Sequence, residues 1–444
     1  MFKKNKLLLE EKISKLLLRQ SLPAAVGMLV MTLYNIVDTI FIGRGVGVEG
    51  LTAVALSFPL IMLIGSVAQS FGVGFSSIIS RALGAQDYER AHRALGTFLS
   101  LALIAGIFFS GIFGLFLKSI LVFLGASSVV LPLAYEYAHI VVLGSIFFIF
   151  TAGGNNIIRS IGEARVAMQA MILSALTNVF LDTLFIFYFK MGIAGAAWAT
   201  AIAWSISSFY IYSYLFIRNG SFKLKLHHFS LKLSLIKEGM AIGASSFARQ
   251  VSNSVMSVVL NKSLAIYGSD LAIAAFGIIM RVAMLILMPV FGIVQGMQPI
   301  IGSNYGARQI KRVKAVTILA IKTATVFCFL AFSVVFIFPK QLVGIFTSDY
   351  DLLTYSVRTL RIFILVFPLV GFNSVAGGFF QALGRAKPAL FIALLRQIIV
   401  LIPLMLILPL FLGLDGLYYS FPIADITTVT ITFFIFRYNY KNLA

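Results

Sequence analysis

The sequence predicts an all-α polytopic membrane protein, with twelve transmembrane helices in two pseudo-symmetric six-helix lobes. Three observations carry that reading. Of the 444 residues, 60% are hydrophobic and 11% charged, less than half the roughly 25% charge of a soluble domain. Long apolar stretches recur, centred near residues 32, 65, 105, 145, 177, 205, 250, 286, 327, 366, 399 and 427, and about 20 helical residues cross a hydrocarbon core. The second half also repeats the first. Residues 80–87 and 302–309, each followed by basic residues, superpose with Gly84 on Gly306, an offset of 222. The same offset lays 161–165 on 383–387, and one residue less lays 192–195 on 413–416. The runs are apolar on all sides, unlike the alternating ten-residue strands of a membrane barrel.

Taken in order, residues 1–20 set leucines at helical spacing among lysines and acids, which predicts an amphipathic segment lying on the cytoplasmic leaflet. No small-residue cleavage site follows, so the segment is not read as a removed signal. Spans one to six fill 21–217. The longest connection, 218–237, is a basic linker that contains His227 and His228, read either as a metal or pH site or as ordinary solvated residues. Spans seven to twelve fill 238–438, and 439–444 form a tail. Of the 35 Lys and Arg, 24 fall in the tails and loops of one side, Arg159 and Arg165 among them. Five fall in the opposite loops, and six inside or at the ends of spans. Loops that stay in the cytoplasm keep the basic residues. Both termini are therefore expected to be cytoplasmic, in a multi-pass protein of the inner (cytoplasmic) membrane.

The net charge of +20 is then topology and no sign of a nucleic-acid partner. Cys328 is the single cysteine, which excludes an internal disulfide and a thiolate metal site. His92, His139, His227 and His228 are scattered, and neither a hydrolase elbow nor a nucleotide-binding loop is present. An enzyme is not expected, nor a cofactor.

Chemistry is best sought among ionisable groups that a membrane should exclude. Asp38, Asp182 and Asp425 fall well inside spans, with Glu136 near the outer end of the fourth. At a rise of 1.5 Å per residue, Asp38 lies about 7 Å deep, and Asp182 and Thr200 about 12 Å, so the three can share a layer. Tyr34 and Asn178 each precede an acid by four residues and share its helix face. The repeat supplies a control. The second-half counterparts of Asp38, Asp182 and Thr200 are Met256, Leu404 and Phe421, so the polar layer belongs to one half. Two carboxylates approaching in low dielectric repel when both are ionised, and such a site takes up a proton or a small hard cation. Asp425, about 15 Å into span twelve, either contacts a cationic substrate or pairs with an arginine such as Arg249, Arg281 or Arg396. Met28 and Met31 on span one, and Met280, Met284 and Met288 on span eight, form flexible faces suited to irregular ligands or to packing. Pro289 and Pro299 mark span eight for bending, and Pro403 and Pro409 mark span eleven.

At these residues the chain resembles the multidrug and toxic compound extrusion (MATE) transporters, and among them the bacterial DinF-type branch. The resemblance rests on span-one residues 34–43, the 302–306 loop and the six-plus-six plan. It implies a V-shaped pair of lobes exporting organic cations or other amphipathic compounds against an inward flow of protons or sodium. It makes Asp38 the coupling aspartate, with Asn178, Asp182 and Thr200 its partners, and Tyr34 a neighbouring polar position. It makes Pro23 the bend of the first helix, and Asn155 a fourth-helix position that our depth count places well below the aspartates. A second-lobe sodium site is not expected, since no acid occurs between Glu238 and Asp270 or between Asp351 and Asp415. The reading is an ion-coupled antiporter, with the proton favoured over sodium at Asp38 and Asp182, acting as a monomer on small amphipathic or cationic compounds within membrane lipid. The alternative is a flippase for lipid-linked precursors of the same superfamily, for which Arg249 and Arg281 speak.

Overall fold

The computed structural model describes residues 7–218, 224–229 and 231–443. Of the expected tails and linker, 1–6, 219–223, 230 and 444 lie outside the described residues. Spans one to three are Ile13–Gly45, Val48–Gly84 and Tyr88–Phe123. Span four is two helices, Leu131–Leu143 and Ser145–Ser160, set at 52°. Span five runs Ala164–Asp182 and widens into π turns over Thr183–Tyr188, and span six is Gly192–Ser213. Spans seven, eight and nine are Leu233–Tyr267, Asp270–Gly306 and Ile310–Ile337. Span ten is again a bent pair, Tyr350–Ile364 and Phe367–Ala382, at 50°. Ala386–Leu394 opens span eleven, π turns follow over Leu395–Leu401, and Ile402–Lys441 contains the rest.

Among the described residues, eight helices are long and apolar enough to cross a membrane, and each bent pair adds another crossing. The last of the eight divides at Gly413, whose φ of 57° and ψ of −139° are not helical. The remaining crossing is Leu233–Tyr267, 35 residues long but diluted by Arg249, Gln250, Asn253 and Asn261. Pro289 and Pro299 stand inside an unbroken span eight, and Pro23 inside an unbroken span one. The sharp bends fall instead between helix pairs and at Gly413.

The internal repeat extends to backbone geometry. Gln86 and Arg308 have φ of 60° and 58°, Gly162 and Gly384 84° and 75°, and Gly192 and Gly413 58° and 57°. These are left-handed conformations that let a helix stop and the chain reverse. At the first pair the same bonds close both helix ends: Asp87 N–H donates to Ala82 O, and Gln309 N–H to Asn304 O. The two bent spans, four and ten, also correspond.

Each half has its own apolar core. One is built on Phe75, Phe98, Leu95 and Ile149 of spans two to four, the other on Phe379, Phe380, Ile300 and Met297 of spans eight and ten. The two lobes meet along spans one, two, seven and eight near the face that carries both chain ends, and glycines make the meeting close. A Cβ on Gly74 would stand 2.0 Å from Gly239 O, one on Gly84 1.9 Å from Ser303 O, and one on Gly292 2.8 Å from Ala25 Cα. Ser77 Oγ donates across the seam to Gln381 O at 2.6 Å. At its edge Glu238 accepts from Arg81 at 3.0 Å and Arg90 at 2.6 Å.

Towards the distal face the lobes part. Ile36 lies eleven residues beyond Ala25 and Arg281 eleven before Gly292, three helical turns in each case, so both continue the stripe along which spans one and eight touch. Both are exposed, Ile36 at 51%, and a Cβ on Gly277 would meet nothing. The result is a V closed at the terminal face and open at the distal one.

Two expectations are corrected. The amphipathic segment does not lie apart on a leaflet: residues from Ile13 onward belong to span one, and Leu8, Leu16 and Leu17 are buried in the second lobe's core. Asn304 Nδ2 donates to Leu8 O at 3.0 Å, and Arg312 Nη2 to Glu11 O at 2.8 Å. Leucines on one helix face take the apolar partner that the protein itself supplies. The linker is also shorter than 218–237, since span seven starts at Leu233. Its turn Leu226–Phe229 docks on span three, where His228 Nε2 meets Glu89 Oε2 at 3.1 Å and Ser100 Oγ donates to Phe229 O.

Candidate functional site

Asp38 lies thirteen residues beyond Ala25, which turns it to the face of span one opposite the seam and towards spans five and six. Its carboxyl comes within hydrogen-bonding reach of Asp182. Asp182 ends the regular part of span five and is fully buried. The change to π turns directly after it is a local widening of the kind often found at functional sites. One turn earlier, Asn178 bridges two helices. With its amide oriented by its neighbours, Nδ2 donates to Asp182 Oδ2 at 2.6 Å and Oδ1 accepts from Thr200 Oγ1 at 3.1 Å. Thr200 comes from span six, where Ala196, Ala197 and Ala199 leave room for close packing. The Tyr34 hydroxyl reaches Thr200 as well.

The structure thus brings together Tyr34, Asp38, Asn178, Asp182 and Thr200 and places no basic residue among them. One Oδ1 on each aspartate is buried without a hydrogen-bond partner. Two carboxyls at this separation hold either a proton or a cation between them, since two bare charges would repel. Tyr137, 4% exposed, lies close enough to act electrostatically on Tyr34, Asp38 and Asp182. Sequence reasoning missed it and noted only its chain neighbour Glu136, which is exposed about 100° round the same helix. The available signal was amphipathic: Ala134, Tyr137, Ala138 and Val141 form one buried stripe.

Other candidates lie elsewhere. Asn155 is buried well towards the terminal face, its Nδ2 donating to Thr151 O, and it does not join the aspartates. Asp425 is not presented to a ligand, because Arg396 donates to both its oxygens through Nε and Nη2. Met284 is exposed, and Met28 and Met31 are half-buried on span one. Where the first lobe is polar the second is aromatic: the Phe421 ring packs at a tilt against Phe276 at 5.3 Å and Phe363 at 5.0 Å, with Met256 and Leu404 packed against that core.

Comparison with known proteins agrees with the two-lobed fold. The MatE family model matches twice, over residues 23–184 and 246–407. The multidrug export protein MepA of Staphylococcus haemolyticus is 27% identical over 426 residues, covering 96% of this chain and 94% of that protein. MepA of Staphylococcus aureus strain MSSA476 is 28% identical over 415, covering 93% and 91%. A solved outward-facing conformation of a multidrug resistance MATE transporter superposes with a TM-score of 0.92 at 29% identity over 98% of each chain. A MATE structure in the bent conformation gives 0.93 at 29% identity, over 99% of this chain and 98% of that one. Two family matches, one per lobe, in a twelve-span chain with a shared fold leave one assignment: the chain belongs to the MatE family of secondary transporters, not enzymes.

Proposed function

We propose that the protein exports small amphipathic or cationic compounds by antiport against protons, with Asp38 and Asp182 as the coupling pair. The observation that carries the reading is the buried Asp38–Asp182 contact, free of any basic partner and bridged by Asn178 to Thr200. A proton is the smallest species that relieves the repulsion, and it turns one carboxyl from acceptor to donor. That exchange rearranges the bonds among spans one, five and six. Substrate leaves through the distal opening while the pair is protonated, and deprotonation after the lobes rock restores the binding state. One chain contains the whole cluster and the whole cleft, so a monomer suffices. No cofactor enters this scheme.

The test is export in sodium-free vesicles under an imposed pH gradient, with a protonophore as control. Transport is expected to follow the pH gradient and collapse with the protonophore. Failure there, with rescue by a sodium gradient alone, would transfer the same residues to sodium.

The orientation follows from the basic residues: the terminal face is cytoplasmic and the cleft opens outward. With Cys328 replaced, an impermeant thiol reagent added outside intact cells should label single cysteines at Val48 and Ser269 and spare those at Arg308 and Asn442. The reverse pattern would invert the orientation.

A further inference from the structure

Arg159 was counted among the loop cations, yet it lies in the last turn of span four and is 7% exposed. Its Nη2 meets only the thioether of Met171, at 3.2 Å, and its Nε is buried without a partner. A thioether is a weak acceptor. All fifteen acids of the chain are among the described residues, and none forms an ion pair with this guanidinium. Arg396, by contrast, has Asp425 as its counter-charge. A buried guanidinium against a sulfur atom alone is an unbalanced charge.

The guanidinium lines a cavity of about 20 Å³ at the closed seam, walled by spans two and four of one lobe and spans eight and ten of the other. That is room for one water molecule or an ion of similar size. From the second lobe the walls include Gln295, whose Oε1 has no partner, and Gln298, whose Nε2 spends one hydrogen on Gln381 Oε1 at 2.8 Å and retains the other. A half-turn of the Gln295 amide presents its nitrogen to the same space. Ser77 and Asn156 also face it, but their hydrogens are committed to Gln381 O, and to Gln69 and Ala152. The donors still available are therefore Arg159 from one lobe and the two glutamines from the other.

We propose that this cavity is a binding site for a single small inorganic anion, of chloride size, which neutralises Arg159 and joins the two lobes across the closed terminal face. Such an anion binds well only while both walls are present, so it favours the closed seam over the open one by linkage. The proposal goes beyond the export reading and involves neither the coupling ion nor the exported compound.

The test uses the full chain in lipid nanodiscs at fixed pH and ionic strength, with chloride exchanged for gluconate, which is too large for the cavity. Chloride-35 NMR should report one saturable site. Spin labels at Ala85 and Lys311, on either side of the seam, should show the closed population growing with chloride, about elevenfold over the open one at ten times Kd. Arg159→Gln should remove both effects, and Arg159→Lys should retain a weaker site. If the wild-type seam distance is the same in chloride and gluconate, the cavity holds water alone and the proposal fails, whatever the variants do. An unchanged chloride response in Arg159→Gln would equally overturn it.

Discussion

Asp38→Asn and Asp182→Asn are each expected to reduce gradient-driven export to the level of vesicles without protein. Asparagine has the shape of aspartate and still accepts a hydrogen bond, so Asn178 keeps an acceptor at position 182 and the helices stay bridged. What disappears is the proton. One proton exchanged per substrate across one pH unit is worth about 1.4 kcal/mol, so losing it lowers a roughly tenfold accumulation to none. Asp182→Leu should behave differently, because it leaves the Asn178 Nδ2 donor without its acceptor in a buried place at about 1–3 kcal/mol. Asp425→Asn is the control. It strips Arg396 of its partner, which should cost about 3 kcal/mol of stability, while the protein that survives remains coupled. Substrate accumulation and thermal unfolding measured on the same four variants separate the two outcomes. Export that survives in both first-lobe variants would remove the coupling pair from the mechanism.

Gly74→Val should disable the transporter without touching the aspartates. Its Cβ would stand 2.0 Å from Gly239 O, and the nearest atom is backbone, so the lobes must separate. Overpacking of this kind costs about 1–3 kcal/mol, which shifts the balance between closed and open seams by up to about a hundredfold. Elsewhere in a helix, replacing glycine is favourable by about 1 kcal/mol. Gly277→Ala and Gly111→Ala, where an added Cβ meets nothing, should therefore be neutral or stabilising. Distances between labels across the terminal face, with export measured in parallel, give the comparison. A Gly74→Val protein that still closes and exports would show that the seam tolerates more separation than its geometry implies.

Much of the fold was legible because its causes are local. Span lengths follow from bilayer thickness, and the repeat was visible at Gly84 and Gly306, where the backbone later proved left-handed just beyond both. Tyr34, Asp38, Asn178, Asp182 and Thr200 were found by depth and helical face, which are functions of residue number. Tyr137 was not, since a tyrosine in an apolar run has the same hydropathy signature whether it faces lipid or an acid. Arg159 was misassigned for a related reason: its distance from the loop suits a solvated cation, and only the fold shows the second lobe closing over it. The choice of Arg396 for Asp425, among three arginines, required three-dimensional proximity across spans eleven and twelve. The leucines of 7–20 predicted an apolar surface correctly but not which one, because a lipid leaflet and a protein core present the same chemistry to them.

Those leucines bear on how the chain is made. Leu8, Leu16 and Leu17 complete the core of the second lobe, and Leu8 O waits for the side chain of Asn304, 296 residues later. At ribosomal rates of about 5–20 residues per second, Leu8 spends on the order of 15–60 s without its destination. The first lobe can insert during that interval, but its leading segment cannot settle. During biogenesis the segment around Leu8, Leu16 and Leu17 is thus a sticky, unsatisfied row of leucines, and its docking marks the moment at which both lobes are present and correctly side by side.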